Sequence, residues 1–219
     1  MAETPHAIMI PFPFQGHITP SVNLAVKLAS KGCAITFVYT EFIHKMLSKS
    51  HHSSSEFDLF ADACESGLDI RYTTIFDGFP VEFDRFLHSK EYWETMLRDF
   101  PARVDEFVGK YNLVNVSFWT EPALVFSNSI AYHLDLLREN CHFPCKDNIE
   151  ENINYIPGVS LMNTRDLMPY LKESSLDSLP QKIVMKTFDD QVKKADFILL
   201  NTVQELEETI SALQQKQPT

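Results

Sequence analysis

The sequence is short of glycine: six residues in 219, where average usage of about 7% would place roughly fifteen. Phosphate-cradling loops need glycine where the backbone closes on an anion, so this scarcity argues against a chain built around such a loop. No Gly-x-Gly-x-x-Gly, Walker or Gly-x-Ser-x-Gly pattern occurs. Basic residues are few as well, 19 Lys and Arg against 30 Asp and Glu, for a net charge of −11. Nucleic acid and anionic membrane surfaces both select clustered cations, so neither is expected as a partner. No run approaches the ~18–20 apolar residues of a membrane span, and Met1–His6 lacks the positive region that opens a secretory signal. Four cysteines in such a chain read as reduced thiols of a cytoplasmic protein. In Cys141-His142-Phe143-Pro144-Cys145 three potential ligands cluster, but Cys-x3-Cys lacks a fourth ligand and a second pair, so no metal is expected.

What the chain does contain is alternation of strand and helix. Ala7–Pro13 is an apolar run ending in prolines, and a helix is expected behind Gln15-Gly16-His17, with Thr19 as N-cap and Pro20 at its first position. Val22, Ala25, Val26 and Ala29 form its core-facing stripe, and Lys31-Gly32 ends it. Further strands are expected at Ala34–Thr40, Leu68–Ile75, Val114–Phe118 and Asp196–Thr202. Helices are expected over about 41–49, 89–110, 123–139, 164–172, 178–194 and 203–217. Strands separated by helix-length segments specify an α/β fold, a Rossmann-like parallel sheet with flanking helices.

Ligands of open α/β sheets sit beyond the carboxyl ends of the strands. Three segments leave that edge: Phe14, Gln15, Gly16 and His17; then Phe76, Asp77, Gly78 and Phe79; then Phe118, Trp119, Thr120 and Glu121. Together they would make an aromatic pocket around one imidazole, suited to a flat, hydroxylated small molecule. With an ordinary pKa near 6.5, His17 is mostly neutral at pH 7 and can take a proton, and a helix N-terminus disfavours its charged form. Gly16 is expected to let the backbone turn sharply before it. The plainer alternative for His17 is a surface or capping histidine.

At these residues the chain resembles the plant family-1 UDP-dependent glycosyltransferases, enzymes of two-domain GT-B architecture, most nearly their 86A-type subgroup. The motifs are Pro11-Phe12-Pro13-Phe14-Gln15-Gly16-His17-Ile18-Thr19-Pro20, Phe76-Asp77-Gly78-Phe79-Pro80, Val116-Ser117-Phe118-Trp119-Thr120, and Ala195–Glu207, in family order. The resemblance implies that residues 1–219 are a single, incomplete acceptor-binding N-terminal domain and that the C-terminal UDP-sugar-binding domain is absent. It implies His17 as the general base on an acceptor hydroxyl, inverting displacement of UDP without a metal, and Thr120 as a contact to the donor sugar. Phe14, Gln15, Gly16, Phe76, Phe79, Phe118 and Trp119 would line the acceptor pocket. The co-substrate would be a UDP-sugar, bound only if a C-terminal domain is supplied, and the acceptor a flavonoid or another phenol.

One departure is internal. The family places a strand ending in Asp-x-Phe before the Val-Ser-Phe-Trp-Thr strand, whereas here Lys110-Tyr111 leads almost directly into Asn112. The missing βα unit would carry the aspartate that orients the catalytic histidine; Asp99 and Glu121 are the nearest conceivable substitutes. Loss of an inner unit either shifts a neighbouring strand or leaves edges unpaired. The expectation is a chain inactive by itself, the alternative a non-catalytic acceptor-binding or regulatory module.

Overall fold

Ala34–Thr40 reads as a nearly continuous run of apolar and β-branched residues, as a strand covered on both faces requires. It forms β2, and Ile35, Phe37, Val38, Tyr39 and Thr40 are buried. In the computed structural model, residues 4–50, 58–109, 113–121, 134–143, 150–157, 159, 161–172, 178–187, 194–203 and 205 are described. The chain forms two compact units, Met1–Tyr111 and Asn112–Thr219.

In the first unit β2 lies between β1 (His6–Met9) and β3 (Ile70–Ile75), all parallel, with Ile8 opposite Thr36 and Phe37 opposite Tyr72. Helices α1 (Gln15–Ala29), α2 (Glu41–Ser50), α3 (Ala61–Glu65) and α4 (Ser89–Val108) accompany them. Ala25 and Ala29 of α1 pack on Ile35, Phe37, Tyr39, Phe60 and Ile70, with Val22 and Val26 partly buried beside them. The expected stripe is therefore the core face, extended by Ile18 and Ser21. The Gly32 N–H donates to the Ala29 carbonyl at 2.9 Å with Gly32 at φ 88°, which closes the helix as expected.

The start of α1 corrects the sequence reading. Phe14, in extended conformation, is the N-cap, without a side-chain cap bond, and both Thr19 and Pro20 lie inside the helix. Proline at this depth forfeits one bond, the one its missing N–H would make to the carbonyl of Gly16. That loss is offset by the burial of Ile18, Ser21 and the alanine stripe behind it.

In the second unit β4 (Val116–Trp119) pairs in parallel with β7 (Phe197–Leu200), Val116 opposite Phe197 and Trp119 opposite Leu200. A short antiparallel pair, β5 (Asn152–Ile153) and β6 (Met162–Asn163), lies between them in sequence. With them come α5 (Leu134–Glu139), a 3-10 turn at Thr164–Asp166, α6 (Pro169–Lys172) and α7 (Leu179–Thr187). Leu134, Leu137, Phe143, Ile153, Ile156, Leu167 and Leu171 form its core. Of the helix expected over 123–139 the last six residues are seen as α5; its earlier part, and nearly all of the one expected over 203–217, lie outside the described residues. Among the described residues no helix is long and apolar enough to cross a membrane.

Candidate functional site

The chain leaves β1 at Met9, passes the buried Pro13, and enters α1 with the His17 and Ile18 N–H groups both donating to the Phe14 carbonyl at 2.9 Å. His17 is thus the third residue of α1, half-buried at its N-terminus. Burial pushes its imidazole below the ordinary value of 6.5, and the positive end of the helix dipole acts in the same sense. The ring is neutral at pH 7 and equipped to accept a proton.

Aromatic rings surround it. Phe12 meets His17 edge-on at 5.5 Å between centroids, and Phe14 lies 6.5 Å from it. Both phenylalanines pack on Trp93 of α4, Phe12 stacked at 5.4 Å and Phe14 tilted at 5.1 Å. Trp93 touches Tyr92, which reaches Phe79, which stacks on Phe83 at 4.3 Å. Phe14 stays 40% exposed and Gln15 and Gly16 are exposed, so the wall is open on the helix-entry side. Trp93 was not among the residues singled out from sequence. Its signal was its rarity, one of two tryptophans, in the helix that follows the Phe76–Pro80 segment.

The Phe76–Pro80 segment is fixed by a buried ion pair that sequence reading also missed. Arg85 donates through Nε to Asp77 Oδ2 at 2.9 Å and through Nη2 to Asp77 Oδ1 at 3.0 Å. Two further N–H groups meet the carbonyls of Phe83 (2.9 Å) and Phe79 (3.2 Å), and the guanidinium lies 4.1 Å above the Phe42 ring. Asp77 Oδ1 also accepts the Phe79 N–H at 3.1 Å. Charge desolvation is thus offset by four hydrogen bonds from the guanidinium, the kind of compensation under which a buried pair can persist. Gly78 adopts φ 104°, a conformation that favours glycine. Phe76 does not join the His17 wall but lies against Arg103, 5.1 Å from its guanidinium.

Gly16 corrects a second expectation. It sits within the first turn of α1, outside the positive-φ region, and a Cβ added there would meet nothing within 4 Å. Neither a sharp turn nor crowding requires glycine, so the opening lies on the solvent side, beside His17. Gly16→Ala should raise stability by about 0.5–1 kcal/mol through reduced backbone entropy, while weakening binding of any ligand that lies against the helix entry. Urea melts and ligand titration of the variant check both halves; a loss of stability would show that the backbone needs glycine after all.

Phe118 and Trp119 end β4 in the second unit, followed by Thr120 and Glu121. Asn201, just past β7, fixes this end of the strand: its N–H donates to the Trp119 carbonyl at 2.9 Å and its side-chain amide to the Thr120 carbonyl at 3.2 Å. Burial raises the Glu121 carboxyl above its ordinary value. Asp99, the other substitute partner considered for His17, is engaged by Arg98 in a two-pronged pair at 2.8 and 3.0 Å. His142 uses both ring nitrogens, Nδ1 with the Tyr155 hydroxyl at 2.5 Å and Nε2 with Glu151 at 2.9 Å. Cys145 lies outside the described residues.

No protein-family model matches the chain. Curated relatives do. UDP-glycosyltransferase 86A1 of Arabidopsis thaliana is 45% identical over 247 residues, covering 98% of this chain and 50% of its own length. UDP-glycosyltransferase 86A2 of the same plant is 44% identical over 241 residues, covering 97% and 48%. The crystal structure of UDP-glucose: anthocyanidin 3-O-glucosyltransferase in complex with UDP matches the fold at a TM-score of 0.69 and 19% identity, over 99% of this chain and 51% of that one. The chain therefore spans about half the length of the curated relatives it matches. Because 247 aligned residues exceed the 219 of this chain, at least 28 positions of that first relative have no counterpart here. Along nearly its whole length the chain is similar to about half of each of these plant UDP-glycosyltransferases.

Proposed function

We propose that residues 1–219 act as one acceptor-binding domain of a UDP-sugar-dependent glycosyltransferase, with His17 as general base. In that reaction the His17 imidazole takes the proton of an acceptor hydroxyl. The oxygen attacks the anomeric carbon of the sugar, and the bond from that carbon to the UDP oxygen breaks with inversion. A phenol with a pKa of about 10, as in a flavonol, is a proton source within reach of a neutral imidazole. The observation that carries the reading is the half-buried His17 at the start of α1, set against Phe12 and Phe14, which in turn pack on Trp93. An aromatic wall beside a base suits a flat, hydroxylated ligand.

Within the first unit Phe14, Gln15, Gly16 and Phe79 are assigned to the acceptor, together with Trp93; Phe76, packed on Arg103, is assigned there by the family resemblance alone. The same resemblance assigns Phe118 and Trp119 to the acceptor and Thr120 to the donor sugar, with a UDP-sugar as co-substrate and no metal. The free thiols of Cys33, Cys64 and Cys141 fit a reducing, cytoplasmic setting.

The 219 residues by themselves are expected to bind acceptor without turnover. Equilibrium dialysis against a panel of flavonols and simple phenols should show saturable retention. Incubation with UDP-glucose, read by mass spectrometry, should show no glycoside. Absence of retention across the panel would remove the acceptor assignment. Glycoside formed by the unmodified chain and not by His17→Ala would instead show that these residues suffice for catalysis.

A further inference from the structure

One buried pair ties the segment after β3 to the aromatic rings beside His17. Asp77 and Arg85 stand eight residues apart, in the connection that leads from β3 into α4. Asp77 Oδ1 accepts the Phe79 N–H at 3.1 Å, and Arg85 Nη2 donates to the Phe79 carbonyl at 3.2 Å, so the pair holds both polar groups of that residue's backbone. Next to Arg85, Asp84 Oδ1 accepts the Phe86 and Leu87 N–H groups at 3.0 and 2.8 Å, and the Asp84 carbonyl accepts the His88 N–H at 3.0 Å. His88 is the N-cap of α4, and its carbonyl accepts the Tyr92 N–H at 3.0 Å. Polar contacts thus run from the pair into the first turn of α4.

The side chains continue the series. Phe79, Tyr92 and Met96 form a small core of their own, with Phe83 and Trp93 packed against it. Phe79 lies 5.8 Å from Tyr92, and Tyr92 meets Trp93 edge-on at 5.1 Å. Trp93 in turn meets Phe12 and Phe14, the two rings that flank His17. The place of Phe79 and the turn of α4 about its axis decide where Trp93 meets those rings.

Stability alone does not call for charges here. A buried ion pair contributes little beyond what apolar residues of the same volume would. What it adds is direction, since a planar guanidinium presents its donors in a fixed fork. Apolar packing of the right volume keeps a core folded but gives up uniqueness first.

We propose that Asp77 and Arg85 are positioning residues for the acceptor wall: they fix Phe79 and the start of α4, and so hold Trp93 against Phe12 and Phe14 beside His17. The proposal rests on the assignment of that wall to the acceptor.

The test compares the full 219-residue chain with Asp77→Leu combined with Arg85→Met, with Arg85→Lys, and with Ile70→Val in the separate core of the sheet. Urea melts rank their stabilities. Nuclear Overhauser contacts between the Trp93 and Phe12 rings are read without ligand, and affinity for the flavonol quercetin is read by equilibrium dialysis. Both pair variants should lose the ring contacts and bind quercetin about tenfold more weakly, the worth of one misplaced aromatic contact. Ile70→Val should keep both, even where its stability is the lower. Ring contacts and affinity unchanged in a folded pair variant, or lost equally in Ile70→Val, would overturn the proposal. Should the double variant fail to fold, Arg85→Lys, which keeps the charge without the fork, decides on the same readouts. Failure of both to fold would make the pair a support of stability and overturn the proposal too. An unmodified chain that does not bind quercetin removes the acceptor assignment, while the ring contacts still test the positioning.

Discussion

Replacing Arg85 with Ala should destabilise the first unit by about 3–5 kcal/mol, because it leaves Asp77 as an uncompensated charge in a buried position. The side chains of the pair are 4% and 2% exposed, and one guanidinium satisfies the Asp77 carboxylate and the carbonyls of Phe79 and Phe83 while stacking on Phe42 of α2. Asp77→Ala should cost a similar amount by stranding the guanidinium. The paired change Asp77→Leu with Arg85→Met should recover most of the loss, since two apolar residues leave no charge unpaired. Urea melts of the three variants decide the matter. A loss below about 1 kcal/mol in either single variant would mean that water reaches the pair and that the segment is held by its apolar contacts alone.

The second large effect concerns His17 and the unmatched residues. In a chimera carrying the second half of the 86A1 relative, with about thirty of its residues restored between Lys110 and Tyr111, His17→Ala should lower sugar transfer by about 10²–10⁴-fold. Acceptor affinity should change little, because a base acts on the proton in flight rather than on the bound ring. Omitting the restored residues should cost up to about 10⁴-fold, the magnitude seen in serine proteases when the carboxylate that orients a catalytic histidine is neutralised. Initial rates at saturating acceptor measure both. Equal rates with and without the restored residues would show that the chain orients His17 by its own groups.

The parts of this molecule that were legible in the sequence are those decided locally. The continuous apolar and β-branched run of Ala34–Thr40 and the alanine stripe of α1 belong to long, regular elements, and both lie where expected. The start of α1 was misplaced because Thr19-Pro20 imitates a cap and first position, whereas the observed N-cap, Phe14, makes no side-chain bond that a motif could advertise. The two-residue strands β5 and β6 are too short for any periodicity.

At the site the division is similar. His17 and Phe14 were singled out because they stand three residues apart in one segment. Trp93 was not, because its contact with Phe12 joins residues far apart in the chain. Nor was Arg85: an arginine beside Asp84, in a polar stretch, reads as a surface charge, and only folding reveals that it is 6% exposed and wrapped around Asp77.

The central claim is that a hydroxylated aromatic acceptor lies against the wall formed by Phe12, Phe14 and Trp93 beside His17. The chain has two tryptophans, Trp93 and Trp119, so its indole N–H groups give two resonances in a nitrogen-15 proton correlation spectrum, and Trp119→Phe assigns them. Titrating a flavonol into the labelled chain is the most direct measurement. The account predicts a saturable shift of the Trp93 indole that is abolished by Phe12→Ala and retained in His17→Ala. A Trp93 resonance that stays in place while the flavonol binds, or that moves equally in Phe12→Ala, would contradict it.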